Sequence, residues 1–450
     1  MQPTGHPTLS QRDLAHVWHP CTQMKDHEWL PLLEIERAQG LWLYDTQGRR
    51  YMDAVSSWWV NLFGHGRREI ADAIAHQAHT LEQVMFAGHT HEPAVRLSER
   101  LCELAPGALN KVFFADNGSS AIEVALKMSY HYWANRGQQR RHFVHLDQAY
   151  HGETLGALAV SDVGLYKATY QPLLMQAIQL CAPDTRRPER DADVRNCLAA
   201  AEELLAQRGH EIAAVIVEPL VQCAAGMRMH EPEYLRGLAA LCKRFDVHLI
   251  ADEIAVGFGR TGRMFACEHA QIAPDFLCLS KGITGGFLPL AVVLTLDEVY
   301  AAFYAEWQEQ KAFLHSHSYT GNAIACAAAN AVLDIFAAEP VFEHLQTMGE
   351  LMELKVRDLL SDHPHVAHIR RQGMMLALDL VHSKDPHQAY PALERRGLRA
   401  YQHALTRETM LRPLYNSMYL MPPYVVQPDD VEHLCSVLAE SVDVATHDPS

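Results

Sequence analysis

Three consecutive apolar runs of this chain end in a side chain that could do acid–base or covalent chemistry. The runs IAAVIVEP, VHLIADE and DFLCLSKG end at Glu218, Asp252 and Lys281. The carboxyl ends of parallel strands meet at one edge of an α/β sheet, which is where such sheets bind ligands. A desolvated lysine there can form a Schiff base, because desolvation lowers the pKa of its amine. Taken singly, each residue is more often a solvated side chain that follows a strand.

A glycine and serine pair opens a helix-like segment, GSSAIEVALKM, directly after another apolar run. Exposed N–H groups at Gly118 and Ser119, together with the helix dipole, favour an anion such as a phosphate. Tyr150 follows the next apolar run and could stack on a flat heterocycle, although such an aromatic more often simply packs. A phosphate site, a stacking aromatic, a strand-end carboxylate and a strand-end lysine in this order predict pyridoxal 5′-phosphate (PLP). In that interpretation Asp252 keeps the pyridine nitrogen protonated and Lys281 forms the Schiff base.

The elements that must position these residues form an alternating pattern of short apolar runs and amphipathic helices. This pattern predicts an α/β fold in which a mostly parallel sheet is covered by helices. We expect a large domain at residues 67–334, an N-terminal segment at residues 1–66 that contributes to a small domain, and the rest of that small α+β domain at residues 335–450. The strand candidates of the large domain are Lys111–Ala115, His142–Leu146, Ile212–Glu218, Val247–Asp252, Asp275–Ser280 and Leu290–Leu294.

Composition excludes several classes of function. The chain has 450 residues, with 54 acidic against 38 basic side chains and a net charge of −16, so it would repel a nucleic-acid backbone. No apolar stretch approaches roughly 20 residues, so we expect no membrane span. We see no secretory signal at the N-terminus. Ten cysteines form no C-x-x-C pair, and Cys102, Cys242, Cys278 and Cys326 lie in apolar segments, so we expect reduced core cysteines in a cytoplasmic protein.

Three longer segments, DEIAVGFGRTGRMFACEH, LSKGITGG and GSSAIEVALKM, resemble the class III (ω-type) aminotransferases over nearly the whole chain. That resemblance implies a fold-type-I PLP-dependent transferase and a homodimer with the active site at the interface. It implies catalytic roles for Lys281, Asp252 and Tyr150, with Lys281 moving the proton as well. The cofactor-binding residues that it implies are Gly118, Ser119, Tyr150, Glu218, Asp252, Lys281, His317 and Ser318.

Four shorter segments, WHPCTQM, SSWW, LRPL and YLMPPY, resemble the branch of this family that aminates 8-amino-7-oxononanoate to 7,8-diaminononanoate in biotin biosynthesis. That branch implies S-adenosylmethionine as amino donor, ping-pong kinetics, and Arg412 as the partner of the acceptor's carboxylate. A related branch that uses lysine as donor, and a generic ω-amino acid aminotransferase, stay open as alternatives. The implied substrate-binding residues are Cys21, Trp58, Tyr150, Lys281, Ser316, Arg412 and Tyr419.

The sequence departs from the family pattern at three places. Cys21 stands where the best-known members have a tyrosine, which puts the donor pocket in question. Ser316-His317-Ser318 replaces a Gly-Pro-Thr loop that reaches the cofactor phosphate of the neighbouring subunit; Ser318 keeps the hydroxyl, whereas His317 adds bulk. Val256 replaces a threonine that some members carry.

Other readings of the motifs are weaker. Residues 257–262 match G-x-G-x-x-G and suggest an NAD-dependent oxidoreductase, but Asp252 and Glu253 intervene after the strand and no clear helix start follows. The histidine pairs at 89/91, 315/317 and 363/365 lack metal-ligand spacing, so we predict no metal site. A PLP-fold protein that only binds ligands is disfavoured, because it would need neither Lys281 nor Asp252.

Overall fold

The computed structural model describes residues 7–447. The strands are, in chain order, β1 Ile35–Gln39, β2 Trp42–Asp45, β3 Arg50–Asp53, β4 Leu109–Ala115, β5 His142–Leu146, β6 Ile178–Leu180, β7 Ile212–Val217, β8 Val221–Gln222, β9 Arg228–Met229, β10 His248–Asp252, β11 Phe276–Leu279, β12 Ala291–Leu296, β13 Val366–Gln372, β14 Met375–Ser383, β15 Gln388–Ala389, β16 Thr409–Met410 and β17 Ser417–Leu420. The helices are α1 Leu9–His16, α2 Ser56–Trp59, α3 Arg68–Thr80, α4 Glu92–Leu104, α5 Gly118–Asn135, α6 Leu155–Ala159, α7 Gly164–Lys167, α8 Arg190–Arg208, α9 Pro232–Arg244, α10 Cys267–Ala270, α11 Asp297–Ala301, α12 Ala323–Ala338, α13 Val341–Leu360, α14 Arg396–Thr406 and α15 Pro428–Thr446.

A seven-stranded sheet in the order β4-β12-β11-β10-β7-β5-β6 forms the centre of the molecule. Its strands β11, β10, β7, β5 and β6 are parallel neighbours, which confirms the predicted mostly parallel sheet. β12 is the exception and pairs antiparallel with both β11 and β4. Residues 280–290 join β11 to β12 without an α-helix, and so short a connection cannot make a parallel crossover.

The central strands are buried on both faces, as expected for a parallel sheet between helices. Every residue of β7 and β10 is buried. Helix α5 packs across β11, β12 and β7, while α9 packs against β10 and buries Leu235 and Leu238. All six strand candidates of the large domain lie within two residues of an observed strand.

Two four-stranded sheets lie outside this core, besides the two-stranded ladder of β8 and β9. In one, β16 from the C-terminal part of the chain pairs in parallel with β3, so both ends of the chain share the sheet β1-β2-β3-β16. In the other, β14 pairs with β13, β15 and β17. The division of the chain into domains at residues 66/67 and 334/335 stays a prediction.

None of the ten cysteines forms a disulfide. Cys242, Cys278 and Cys326 are buried, as predicted, whereas Cys102 is only half-buried. Residues 257–262 form turns that lead to no long helix, so this G-x-G-x-x-G motif does not open the helix that a dinucleotide-binding fold requires. Within residues 7–447, no helix taken singly is apolar and long enough to cross a membrane, although α12 and α13, bent by 79°, reach that composition together.

Candidate active site

The polar residues at the ends of β7, β10 and β11 meet at one edge of the central sheet. They border a cavity of about 630 Å³. Eight of the residues that the sequence singles out line it: Cys21, Trp58, Gly118, Ser119, Tyr150, Glu218, Asp252 and Lys281. Arg412, Tyr419, Ser316, His317 and Ser318 are not part of that lining.

Lys281 lies two residues after the end of β11 and lines the cavity with left-handed backbone, at φ 48°. Its amine makes no hydrogen bond or ion pair with any other residue between 7 and 447, and Nζ lies 4.6 Å from the ring centroid of Trp59. Burial lowers the pKa of the Lys281 amine. A larger fraction of the amine is therefore neutral near pH 7 than for a solvated lysine, and a neutral amine can act as nucleophile or base.

Asp252 ends β10 and is held by two hydrogen-bond donors. Its Oδ2 lies 2.7 Å from Nδ1 of His151, and its Oδ1 accepts from the backbone N–H of Ile254 at 3.1 Å. The backbone of His151 is held as well, because its main-chain N–H donates to Oγ of Ser161 at 2.9 Å. In the motif Tyr150-His151-Gly152 only the tyrosine gave a functional signal in the sequence. The role of His151 could not be predicted from it.

Glu218 is the first residue after β7 and holds the loop that carries Tyr150. Its Oε2 accepts the backbone N–H of Tyr150 at 2.9 Å, and its Oε1 accepts that of Cys223 at 3.1 Å. Burial raises the pKa of Glu218 well above its usual range, and the neighbouring carboxylate of Asp252 adds to this. The position of Tyr150 therefore depends on Glu218.

The start of α5 has the geometry of an anion site. Asn117 caps the helix by accepting the N–H of Ser120 at 3.0 Å. A Cβ on Gly118 would lie 3.0 Å from the side chain of Ile254, and a Cβ on Gly152, at φ +123°, would lie 2.4 Å from Oγ of Ser119. Both glycines thus keep the space in front of the first helical turn open, where N–H groups and the dipole favour an anion.

A carboxylate that the sequence did not single out faces the same cavity. Glu153 accepts a hydrogen bond from the phenol of Tyr150 at 3.0 Å and a weak one from the thiol of Cys21 at 3.9 Å. Burial raises the pKa of the Tyr150 phenol, and Glu153 contributes in the same direction. The only sequence signal was its place two residues after His151 in the loop that follows β5.

Helix α2 is a single left-handed turn without glycine, and we call residues 56–59 the tryptophan turn. Ser56, Ser57, Trp58 and Trp59 have φ values of 51°, 47°, 79° and 71°. The N–H of Val60 closes the turn on the carbonyl of Ser56 at 3.0 Å. Left-handed helix costs L-residues about 1–2 kcal/mol each, so surrounding contacts must hold this turn.

The tryptophan turn connects the cavity to Arg412 and Tyr419. The guanidinium carbon of Arg412 lies 5.1 Å from the ring centroid of Trp58, which is 44% exposed. The indole N–H of Trp59 donates to the hydroxyl of Tyr419 at 3.0 Å. Arg412 is exposed and forms no ion pair with any carboxylate of residues 7–447, so its donors are free for an anion.

The loop with Ser316, His317 and Ser318 lies beside this site within the same chain. His317 Nδ1 lies 3.5 Å from a carboxylate oxygen of Asp116, which lines the cavity. The carbonyl of Ser318 accepts from the side chain of Gln83 at 3.2 Å. A role of this loop at a neighbouring subunit stays a prediction. Over residues 7–447, no cluster of three His, Cys, Asp or Glu side chains could hold a metal ion.

Comparison with known proteins decides the family. The model of the family described as Aminotransferase class-III matches residues 23–442. The chain belongs to the class-III aminotransferases. A relative from Helicobacter pylori, named adenosylmethionine-8-amino-7-oxononanoate aminotransferase, is 45% identical over 97% of this chain and 98% of its own length. A relative of the same name from Geobacter sulfurreducens is 40% identical over 98% of both chains.

Solved structures agree with this assignment. This class-III aminotransferase superposes with a TM-score of 0.92 on the adenosylmethionine-8-amino-7-oxononanoate aminotransferase of Methanocaldococcus jannaschii, at 38% identity over 97% of this chain and 98% of the other. It matches an omega transaminase of Pseudomonas jessenii in complex with PMP with a TM-score of 0.93, at 28% identity over 98% of both chains. The expected fold-type-I transferase architecture is confirmed.

Class-III aminotransferases are PLP-dependent enzymes, and the cavity of this aminotransferase fits that cofactor. Lys281 presents an amine without a hydrogen-bond partner among the described residues, and Gly118 and Gly152 leave an open cradle at the start of α5. Asp252 is a buried carboxylate held by His151. An amine, an anion cradle and an oriented carboxylate are the donor set that PLP requires.

Proposed function

We propose that this aminotransferase binds PLP in the 630 Å³ cavity and transfers an amino group to 8-amino-7-oxononanoate, as a step of biotin biosynthesis. When bound, PLP supplies an electron sink for the carbon next to the transferred nitrogen. Gly118 and Ser119 would hold its phosphate, Tyr150 would cover its ring, and Asp252 would pair with its pyridine nitrogen. Lys281 would attach it covalently.

Proton transfer is assigned to Lys281. The lowered pKa of its amine keeps it available as a base, and its Nζ lies 4.6 Å from the ring centroid of Trp59. Its amine would accept a proton from the substrate carbon, hold that proton at Nζ and give it back during the transfer. His151 acts through Asp252 by fixing the direction of that carboxylate.

The assignment of the acceptor rests on the environment of Arg412. Its guanidinium has no carboxylate partner among residues 7–447 and lies over the ring of Trp58, whereas Lys281 lies against the adjacent Trp59. A guanidinium binds a carboxylate bidentately, which suits the carboxylate that ends the oxononanoate chain. Two substrates that use one lysine in turn give ping-pong kinetics.

S-adenosylmethionine is the proposed amino donor. The names of the relatives from Helicobacter pylori and Geobacter sulfurreducens support it, and Glu153 places a carboxylate at the cavity, where a cationic donor would enter. The likeness to an omega transaminase favours a generic ω-amine donor as the second candidate. The experiment offers S-adenosylmethionine, lysine and a simple ω-amine separately, with the oxononanoate as acceptor. Diaminononanoate formed only with S-adenosylmethionine supports the first assignment, and equal rates with a simple amine support the second.

We also propose a cytoplasmic homodimer in which His317 and Ser318 reach the partner's cofactor phosphate. The ten unpaired cysteines fit a reducing compartment. The test mixes Lys281→Ala protein with Ser318→Ala protein under subunit exchange. If sites are shared, one site in each mixed dimer regains both side chains and activity rises above that of either variant; a monomer by sedimentation contradicts the proposal.

A further inference from the structure

The tryptophan turn, residues 56–59, joins the two ends of the proposed site. Its consecutive aromatic side chains contact different groups: Trp58 lies against Arg412, whereas Trp59 lies against Lys281 and donates to Tyr419. The turn therefore fixes how the carboxylate-binding end is placed relative to the reacting amine. Four left-handed residues without glycine do not form this shape by themselves, so some other group must impose it.

Asp53 is the group that reaches the interior of the turn. Its carboxylate is completely buried and does not line the cavity. Oδ1 accepts the backbone N–H groups of Val55 at 3.3 Å and Ser57 at 2.9 Å. Oδ2 accepts the hydroxyl of Ser57 at 2.6 Å and lies 2.9 Å from Nε2 of His65. Asp53 thus satisfies N–H groups at the start of the turn that have no partner inside it.

Other contacts hold only the outside of the turn. The hydroxyl of Ser56 donates to the carbonyl of Met421 at 2.7 Å, and the guanidinium of Arg260 donates to the carbonyl of Trp59 at 3.3 Å. Neither contact touches the N–H or the side chain of Ser57. The left-handed conformation at Ser57 therefore depends on Asp53, with His65 orienting the carboxylate.

We infer that Asp53 is a positioning residue for amino transfer. It holds the tryptophan turn left-handed and thereby sets Trp58 against Arg412 and Trp59 against Lys281. The inference rests on the proposed function for the identity of the acceptor alone, because the geometry of the turn can be measured without any substrate.

The test uses the full-length, PLP-loaded protein and the variant Asp53→Asn. Loss of hydrogen bonds to a charged group should raise KM for the oxo acid about tenfold or more, with a smaller change in the donor half-reaction. Acrylamide quenching of Trp58, taken as the difference from the same protein with Trp58→Phe, should increase. Asp45→Asn is the matched control, since Asp45, at the end of β2, is a buried carboxylate that accepts the backbone N–H groups of Gln47 and Arg49 in the turn that follows.

A glycine at position 57 separates positioning from general damage. Glycine adopts left-handed backbone without steric cost, so adding Ser57→Gly to Asp53→Asn should bring KM and Trp58 quenching most of the way back to their wild-type values. Adding Ser57→Ala instead should leave both at the raised values, because alanine removes the same hydroxyl but keeps the steric cost. If both double variants have the same KM and the same Trp58 quenching, or if Asp53→Asn leaves KM and quenching unchanged, the inference is wrong.

Two further outcomes are also decisive. If Asp53→Asn does not fold, His65→Gln removes one partner of the carboxylate and should shift KM and quenching in the same direction by less; no shift would overturn the inference. If the wild-type protein does not aminate the oxononanoate, the proposed acceptor is wrong, while the quenching series still tests Asp53.

Discussion

Nδ1 of His151 lies 2.7 Å from Oδ2 of Asp252, and both side chains are buried at the edge of the sheet. The second oxygen of Asp252 accepts the N–H of Ile254. The carboxylate is therefore held in one orientation. A fixed orientation is what a carboxylate needs if it is to pair with the pyridine nitrogen of the cofactor. Short buried hydrogen bonds of this kind stabilise a charge only while their geometry is kept.

Replacing His151 with glutamine should lower kcat more than it raises KM for either substrate. The amide cannot reproduce the ring's position against Asp252, and a misdirected carboxylate reduces activity by about tenfold to 100-fold, the range of one hydrogen bond to a charged group. The absorption band of the bound cofactor should shift as well. His145→Gln is the control, because His145 is also buried but bonds to the carbonyl of Leu146. Equal spectral shifts in both variants would contradict the assignment.

Lys281→Ala should abolish covalent attachment of the cofactor and reduce amino transfer by several orders of magnitude. The measurement is borohydride reduction followed by mass spectrometry of the intact protein and of its peptides. Lys167→Ala is the matched control, because burial also lowers the pKa of that lysine, which donates to backbone carbonyls outside the cavity. Cofactor still trapped covalently in Lys281→Ala protein would mean that a different lysine forms the bond.

Arg412→Ala should impair the oxo-acid half-reaction by about 30-fold to 100-fold, since a bidentate pair with a carboxylate contributes roughly 2–3 kcal/mol. The donor half-reaction should change less. Stopped-flow measurement of each half-reaction separates the two. Arg407→Ala removes an exposed arginine that pairs with Glu440 and should leave both half-reactions near wild type. Equal losses in the two half-reactions of Arg412→Ala would contradict the proposal that Arg412 binds the carboxylate of the oxo acid.

The position of a site residue could be predicted from the sequence where sheet topology determines it, and could not be predicted where it depends on loop folding or on distant contacts. Glu218, Asp252 and Lys281 follow apolar strands, and sheet topology alone brings strand ends to one edge, so their meeting was predictable. Glu153 gave no such signal, because its direction depends on how the loop after β5 folds over the cavity. The left-handed turn at residues 56–59 was hidden as well: SSWW contains no glycine, and its shape depends on Asp53 and Arg260, the latter from a distant part of the chain.

Gly152→Ala should weaken the binding of PLP while the protein stays folded. A methyl group there would lie 2.4 Å from Oγ of Ser119, at a backbone φ of +123° that alanine rarely adopts. Either Ser119 leaves the start of α5 or the loop with Tyr150 moves outward, and both changes open the anion cradle. We expect the dissociation constant for PLP to rise by at least about tenfold, which corresponds to the roughly 1–3 kcal/mol of such backbone strain.

Gly137→Ala supplies the control for that variant, because Gly137 also has a positive φ of +74° but has no atom within 4 Å of the added methyl group. It should lose a similar amount of thermal stability from backbone strain alone and keep its affinity for PLP. Fluorescence titration of apo-protein with PLP and a thermal melt of each variant give the two quantities. If both variants bind PLP equally well, the space between Gly152 and Ser119 does not shape the anion cradle, and the phosphate must be held elsewhere in the cavity.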